Sequence, residues 1–267
     1  MQLTHRKPIA NLLAYINRYY WGSSTTSVET ITMFPLVAGT GVDVYIHFDT
    51  SFSVNKHSLP TSHILCPRQY MDISTAGSID FIAIRFNHGA FRHFCDINFN
   101  ELNNNFLTVQ DLWKEEGDIL IDQLYHAKDT THREQLLNEF FSIQLLKHQK
   151  KNSILDQAMR TIYTNHDNTC ITDISKQLMM STRHFERKFK EEFGFTPKKF
   201  QVVSRFESTL RKLFLSTDSD YLATVLDSGY YDQSHFIKDC KTYSNLSPTE
   251  VLTHKEHSLH FYFKRIE

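Results

Sequence analysis

The sequence predicts an α+β chain: a strand-rich barrel with helices behind it, then an all-α region made of two similar helical units joined by a long helix. Three observations predict it. Short apolar segments broken by glycine and proline fill 29–86, a helical period replaces them from about residue 107, and one stretch of the helical region recurs 51 residues later.

A length of 267 residues suits two modest domains with buried cores. Hydrophobic residues at 40% and charged residues at 22% are ordinary for a soluble globular chain. The formal net charge is -1, and residues 152–267 hold 16 Lys+Arg against 15 Asp+Glu. Neither half is strongly basic, which argues against an indiscriminate nucleic-acid binder, because nonspecific affinity is almost wholly electrostatic. Cys66, Cys95, Cys170 and Cys240 form no C-x-x-C pair, so neither a zinc ribbon nor a dithiol redox motif is expected. With no signal-peptide pattern at the start and no apolar run of about 18 residues, a cytoplasmic protein with reduced thiols and no membrane partner is expected.

Residues 8–20 (PIANLLAYINRYY) are expected as a short helix. The segments 29–41, 42–54, 62–74 and 78–86 are rich in Ile, Val, Phe, Tyr and Thr, and Gly39, Gly41, Pro60, Pro67 and Gly77 punctuate them, which predicts several short strands. In 107–127 Leu112, Leu120, Ile121 and Leu124 fall near one helical face. In 132–151 Leu136, Leu137, Phe140, Phe141, Ile143 and Leu145 make a broad apolar stripe. The basic stretch 147–152 is the expected boundary, giving a sensor and dimerisation domain at 1–150 and a second domain at 151–267.

The repeat aligns 181–200 with 232–251 without gaps. His184 matches His235, Phe185 matches Phe236, Arg187 matches Lys238, Lys190 matches Lys241 and Pro197 matches Pro248. Ser181 and Asp232 are N-cap residues. Gly194 and Asn245 are the types that end helices in a left-handed conformation. Thr196-Pro197 and Ser247-Pro248 each open a new helix, with Glu250 completing a capping box on Ser247. Phe185, Phe189 and Phe193, four apart, predict a core stripe, leaving Arg183, Glu186, Arg187 and Lys190 on other sides. A short helix precedes each copy, at 172–178 and around 222–227, which is helix-turn-helix logic.

At these residues the chain resembles the AraC/XylS family of transcription regulators. Gly229-Tyr230-Tyr231-Asp232-Gln233-Ser234-His235-Phe236, with Lys238, Lys241 and Pro248 behind it, is similar to the family's glycine-aromatic-x-Asp-x-Ser-aromatic-Phe signature. The first copy and the helix 197–215 resemble the family's first unit and linker helix, and the resemblance covers roughly 154–252. Departures are Thr224-Val225 for an Ile-Ala pair, Cys240 for a phenylalanine, Thr209 for a small linker residue, and Met179-Met180 where the first turn usually has glycine.

The resemblance implies a seven-helix domain whose two recognition helices enter successive major-groove segments about 34 Å apart. Thr182, Arg183, Glu186 and Arg187 in the first, and Gln233, Ser234 and Lys238 in the second, are the candidates for base edges. Arginine suits guanine, glutamate suits cytosine N4 and glutamine suits adenine. Lys190, Lys198, Lys199 and Lys241 are the candidates for phosphates. A solvated face with Glu186 paired to Lys190 is the alternative. His184 and His235 are expected to pack or cap rather than to ligate.

The N-terminal half is similar in pattern to the cupin-like barrel and helical pair of many AraC-type regulators. The AraC/XylS resemblance implies double-stranded DNA and RNA polymerase as partners; the N-terminal pattern leaves open a small-molecule effector and a homodimer. No catalytic residue, metal site or cofactor is expected. His47, His57, His63, His88 and His93 are scattered, with no H-x-H pair. The alternative function is a cupin-like small-molecule-binding protein or enzyme whose helices form an interaction module. The stripe 136–146 serves equally as a dimer face or as packing against 112–125.

Overall fold

A computed structural model describes residues 2–24, 31–32, 38–66, 68, 70–102, 106–150, 154–215 and 221–253. The chain divides into two compact units. One comprises Met1–Ile31, Gly41–Cys66 and Ser74–Asn152; the other comprises Thr32–Thr40, Pro67–Ile73 and Ser153–Glu267. The second unit therefore includes two segments that lie, in sequence, among the strands. Of the boundary stretch, Lys151 and Asn152 fall outside the described residues, as do 33–37 of the first strand-like segment.

In the first unit, β1 (Gln2–Arg6), β2 (Ile16–Ser24), β4 (Val42–His47), β7 (Ser62–Leu65) and β9 (Ile79–Phe86) form an antiparallel sheet in the order β1-β2-β9-β4-β7. The shorter β3 (Ile31–Thr32), β5 (Ser53–Val54), β6 (His57–Ser58) and β8 (Ile73–Thr75) form a four-stranded sheet. Residues 8–20 are not a helix: 10–15 turn and β2 begins at Ile16. The local apolar spacing fits a helix, but Tyr19 to Ser24 pair in register with Ile84 to Ile79 of β9, and that nonlocal ladder decides the outcome.

Register places Tyr19, Val44, Ile46, Ile64, Ile82 and Ile84 on one face of the large sheet. That face shares a core with α1 (Val109–Tyr125) and α2 (Thr130–His148) through Leu120, Leu124, Leu137 and Phe141. Leu137, Phe141 and Leu145 are the buried part of the expected stripe; Ile143 and Leu146 stay exposed. The opposite face is buried too, and it is polar: Arg18, Arg85 and Asp43 stand in one row, Tyr20, Tyr45 and His63 in the next.

The second unit holds α3 (Ile154–Thr164), α4 (Ile171–Gln177), α5 (Thr182–Phe193), α6 (Pro197–Leu215), α7 (Tyr221–Leu226), α8 (Gln233–Ser244) and α9 (Pro248–Thr253). Its aromatic core gathers Phe185, Phe189, Phe193, Phe200, Phe206 and Phe236 around α6. The segment at 38–40 is built into it. Ala38 N donates to Tyr243 O (2.9 Å), Thr40 Oγ1 donates to Glu207 Oε2 (2.8 Å), and the Arg68 guanidinium lies 4.0 Å from the Phe195 ring centre.

Candidate nucleic-acid interface

The expected caps are all made. Ser181 Oγ accepts from His184 N (3.3 Å) and Asp232 Oδ1 from His235 N (2.8 Å), so α5 and α8 open alike. Gly194 (φ 74) and Asn245 (φ 56) end them in the left-handed region. Ser247 and Glu250 form the reciprocal capping box at α9, and Thr196 Oγ1 caps α6 by accepting from Lys199 N (3.3 Å).

At about 100° per residue, Arg183, Glu186, Arg187 and Lys190 occupy a contiguous arc of α5; Arg183, Arg187 and Lys190 are exposed, and Glu186 is half-buried at the edge of the arc next to the Phe185–Phe189–Phe193 stripe. Ser234, Ile237, Lys238 and Lys241 occupy the same arc of α8 and are all exposed. Thr182 lies outside this arc. It is half-buried, and its hydroxyl stands 3.2 Å from Ser175 Oγ on α4, inside the turn. Gln233, its counterpart, lines a groove of about 570 Å³ with Tyr221, Ile237, Pro248 and Leu252.

The lysines expected at phosphates are exposed but not equivalent. Lys199 Nζ donates to Tyr243 Oη (3.0 Å) and stacks 4.3 Å from that ring, tying the start of α6 to α8. Lys198 Nζ meets Gln201 Oε1 at 3.0 Å, and Lys241 Nζ donates to Asn245 O at 3.0 Å. Arg187 sits 3.4 Å from His184 Nδ1, and Arg205 Nη2 lies 3.1 Å from His235 Nε2, so both histidines stand beside arginines as well as backing a cap.

The turns before the two helices differ by one residue. Met179 N and Met180 N donate to Lys176 O and Ser175 O; Gly229 N and Tyr230 N donate to Leu226 O and Val225 O. The spacing across these pairs is 50, whereas the caps Ser181 and Asp232 are 51 apart. Tyr231, 89% exposed, is the added residue. Met179 (φ 52) and Gly229 (φ 82) hold the same left-handed position. Glycine suits that conformation and methionine does not. A Cβ on Gly229 would also stand 2.7 Å from Asp167 Cβ.

Residues 174–254 match a family model described as a helix-turn-helix domain, of the AraC type. The match makes this stretch, less than a third of the chain, an AraC-type helix-turn-helix domain. An uncharacterized HTH-type transcriptional regulator of Haemophilus influenzae is 27% identical over 128 residues, and the match spans 43% of this chain and 43% of that protein. ToxT from Vibrio cholerae superposes with a TM-score of 0.50 at 13% identity, covering 95% of this chain and 98% of ToxT. Another ToxT structure, with an unsaturated fatty acid bound, superposes at 0.46 and 15% identity over 88% of this chain and 94% of that one. At these identities the likeness to ToxT is one of fold.

Ile237 and Tyr231 in the AraC-type domain escape a search for basic and amide side chains. The ungapped repeat does place Ile237 opposite Glu186, which is a usable signal. In the other unit, His47 and His63 are brought together across β4 and β7, rings stacked with centres 5.2 Å apart. Burial, reinforced at His47 by the neighbouring His63, pushes His47 down to about 3; burial pushes His63 down to about 4, so both are neutral at pH 7. Among the described residues no group of three or more His, Cys, Asp or Glu side chains could hold a metal ion. Nor is any described helix long and apolar enough to cross a membrane.

Proposed function

We propose that this protein is a sequence-specific, DNA-binding transcription regulator acting in the cytoplasm, with α5 and α8 as two recognition helices in successive major-groove segments. One observation carries the proposal: two helices with matching caps, each turning an arc of mostly exposed and mostly polar side chains outward, stand 51 residues apart, both packed on the helix α6. The match of residues 174–254 to an AraC-type helix-turn-helix domain supports it.

In this reading Arg183 and Arg187 donate to guanine, Glu186 accepts from cytosine N4, and Ser234, Lys238 and Gln233 read the second segment. Lys190, Lys198 and Lys241 fix register on phosphates. Lys199 joins them only by leaving Tyr243, and Thr182 acts through the turn rather than on a base. The first unit is the sensor and dimerisation part, and RNA polymerase is the downstream partner. The buried polar face of the first unit, where His63 Nε2 has no hydrogen-bond partner among the described residues, favours a small effector with polar groups. The ligand bound in ToxT makes an unsaturated fatty acid the first probe for a thermal-shift titration.

Selection from a pool of random duplexes tests the main claim. Enrichment of two short motifs about 10–10.5 bp apart is expected, with retardation that weakens as salt rises. No enriched motif and no salt-dependent retardation would overturn it.

A further inference from the structure

The apolar contacts that hold the two helix pairs to α6 do not by themselves fix an angle. Phe200 meets Phe189 of α5 with ring centres 5.6 Å apart, and Phe206 meets Phe236 and Tyr243 of α8 at 6.3 and 5.3 Å. Hydrophobic attraction is non-directional, and aromatic faces slide at low cost. Lys199 and Lys212 each add one bond from α6 to the second pair, to Tyr243 Oη and Ser228 Oγ. The multiply bonded side chains are Gln201 and Arg205, one turn apart on the same face of α6: the first holds the connection in front of α4, the second holds α8 and its turn.

Gln201 Nε2 donates to His166 O (2.9 Å) and Thr169 O (2.7 Å), the two carbonyls of the connection that leads into α4. Arg205 Nη2 donates to Asp239 Oδ2 and to His235 Nε2, both at 3.1 Å and both on α8. Its Nη1 reaches Gly229 O in the turn at 3.5 Å, and its guanidinium lies 4.2 Å from the Tyr230 ring centre. Tyr230 Oη donates to the same Asp239 oxygen at 3.0 Å, closing the set. Asp239 is buried, with its side chain 11% exposed. Charge-assisted bonds with this many fixed partners constrain direction as well as distance.

We propose that Gln201 and Arg205 are positioning residues that set the rotational phase of α5 against α8, and through it the half-site spacing the protein accepts. The proposal rests on the two-helix reading above. A single base pair inserted between half-sites turns the second by about 35°, so a clamped domain discriminates spacing and an unclamped one tolerates it.

The test uses the full chain and the duplex it selects, rebuilt with one base pair added or removed between the half-sites. Wild type is expected to lose about tenfold in affinity on each altered spacing, roughly a 1.4 kcal/mol change. Arg205→Met and Asp239→Asn are expected to lose less than about threefold, while binding a duplex with only the first half-site as wild type does. Asp239→Asn keeps the side-chain shape and carries the test if Arg205→Met does not fold. Selection of no paired motif by wild type would sink the two-helix reading itself. A paired motif with unchanged spacing discrimination in the variants would overturn the clamp alone. So would a uniform loss at every spacing, which marks a merely structural ion pair.

Discussion

The two helix pairs of the second unit share one plan and divide the work differently. The first, α4 and α5, carries both arginines of the exposed arcs, and its tight turn forces Met179 into a left-handed conformation. The second, α7 and α8, has glycine at that position and one more residue in the turn. Its exposed arc mixes lysine, serine and Ile237, and its buried side grips Arg205 of α6. Within one repeat, exposed basic side chains and anchoring contacts need not sit in the same copy. The first pair spends its side chains on the solvent face, the second on its attachment.

The largest expected effect is at Gly229. Gly229→Ala forces a Cβ into a left-handed residue and against Asp167, and should destabilise the domain by about 3 kcal/mol in denaturant titration. A loss below about 1 kcal/mol would mean the second turn is as forgiving as the first. Next, Arg187→Ala should weaken binding to the selected duplex by about 1–3 kcal/mol, measured by gel shift, against a smaller loss for Lys238→Ala. Equal losses would break the asymmetry of reading. Removing the caps should cost about 1 kcal/mol each, with Asp232→Ala exceeding Ser181→Ala because a carboxylate also meets the positive end of the helix. The smallest effect has the opposite sign: Met179→Gly should raise stability by about 0.5 kcal/mol, strain relief outweighing the added freedom of the unfolded chain. A fall in melting temperature would show that Met179 is not strained.

What the sequence revealed was local. Caps, helix stops and the Phe185–Phe189–Phe193 stripe depend on residues three or four apart, and each sits where its spacing puts it. The exposed arcs follow from the same period. Hidden features needed distant partners. The stretch 8–20 reads as helix, but from Ile16 onward β9 supplies a ladder. The stacking of His47 on His63 requires the register of β4 against β7. Arg205 and Asp239 are 34 residues apart, and no pattern in either helix announces the pair. The extra turn residue escaped because an ungapped alignment of α5 with α8 is correct within the helices and shifts only in front of them. The place of Thr182 beside Ser175 was hidden too, because the first residue of α5 meets α4 across the turn, a contact that no helical period in α5 announces.

If two helices of unequal chemistry read two separate segments of one duplex, each answers to its own half-site. Titrating wild type, Arg187→Ala and Lys238→Ala against the selected duplex, and against versions with either half-site scrambled, decides this. Arg187→Ala is expected to abolish most of the penalty for scrambling one half-site and leave the other intact, Lys238→Ala to do the reverse, and the half-site paired with Arg187 to carry the larger penalty. Both variants losing sensitivity to the same half-site, or to neither, would contradict it.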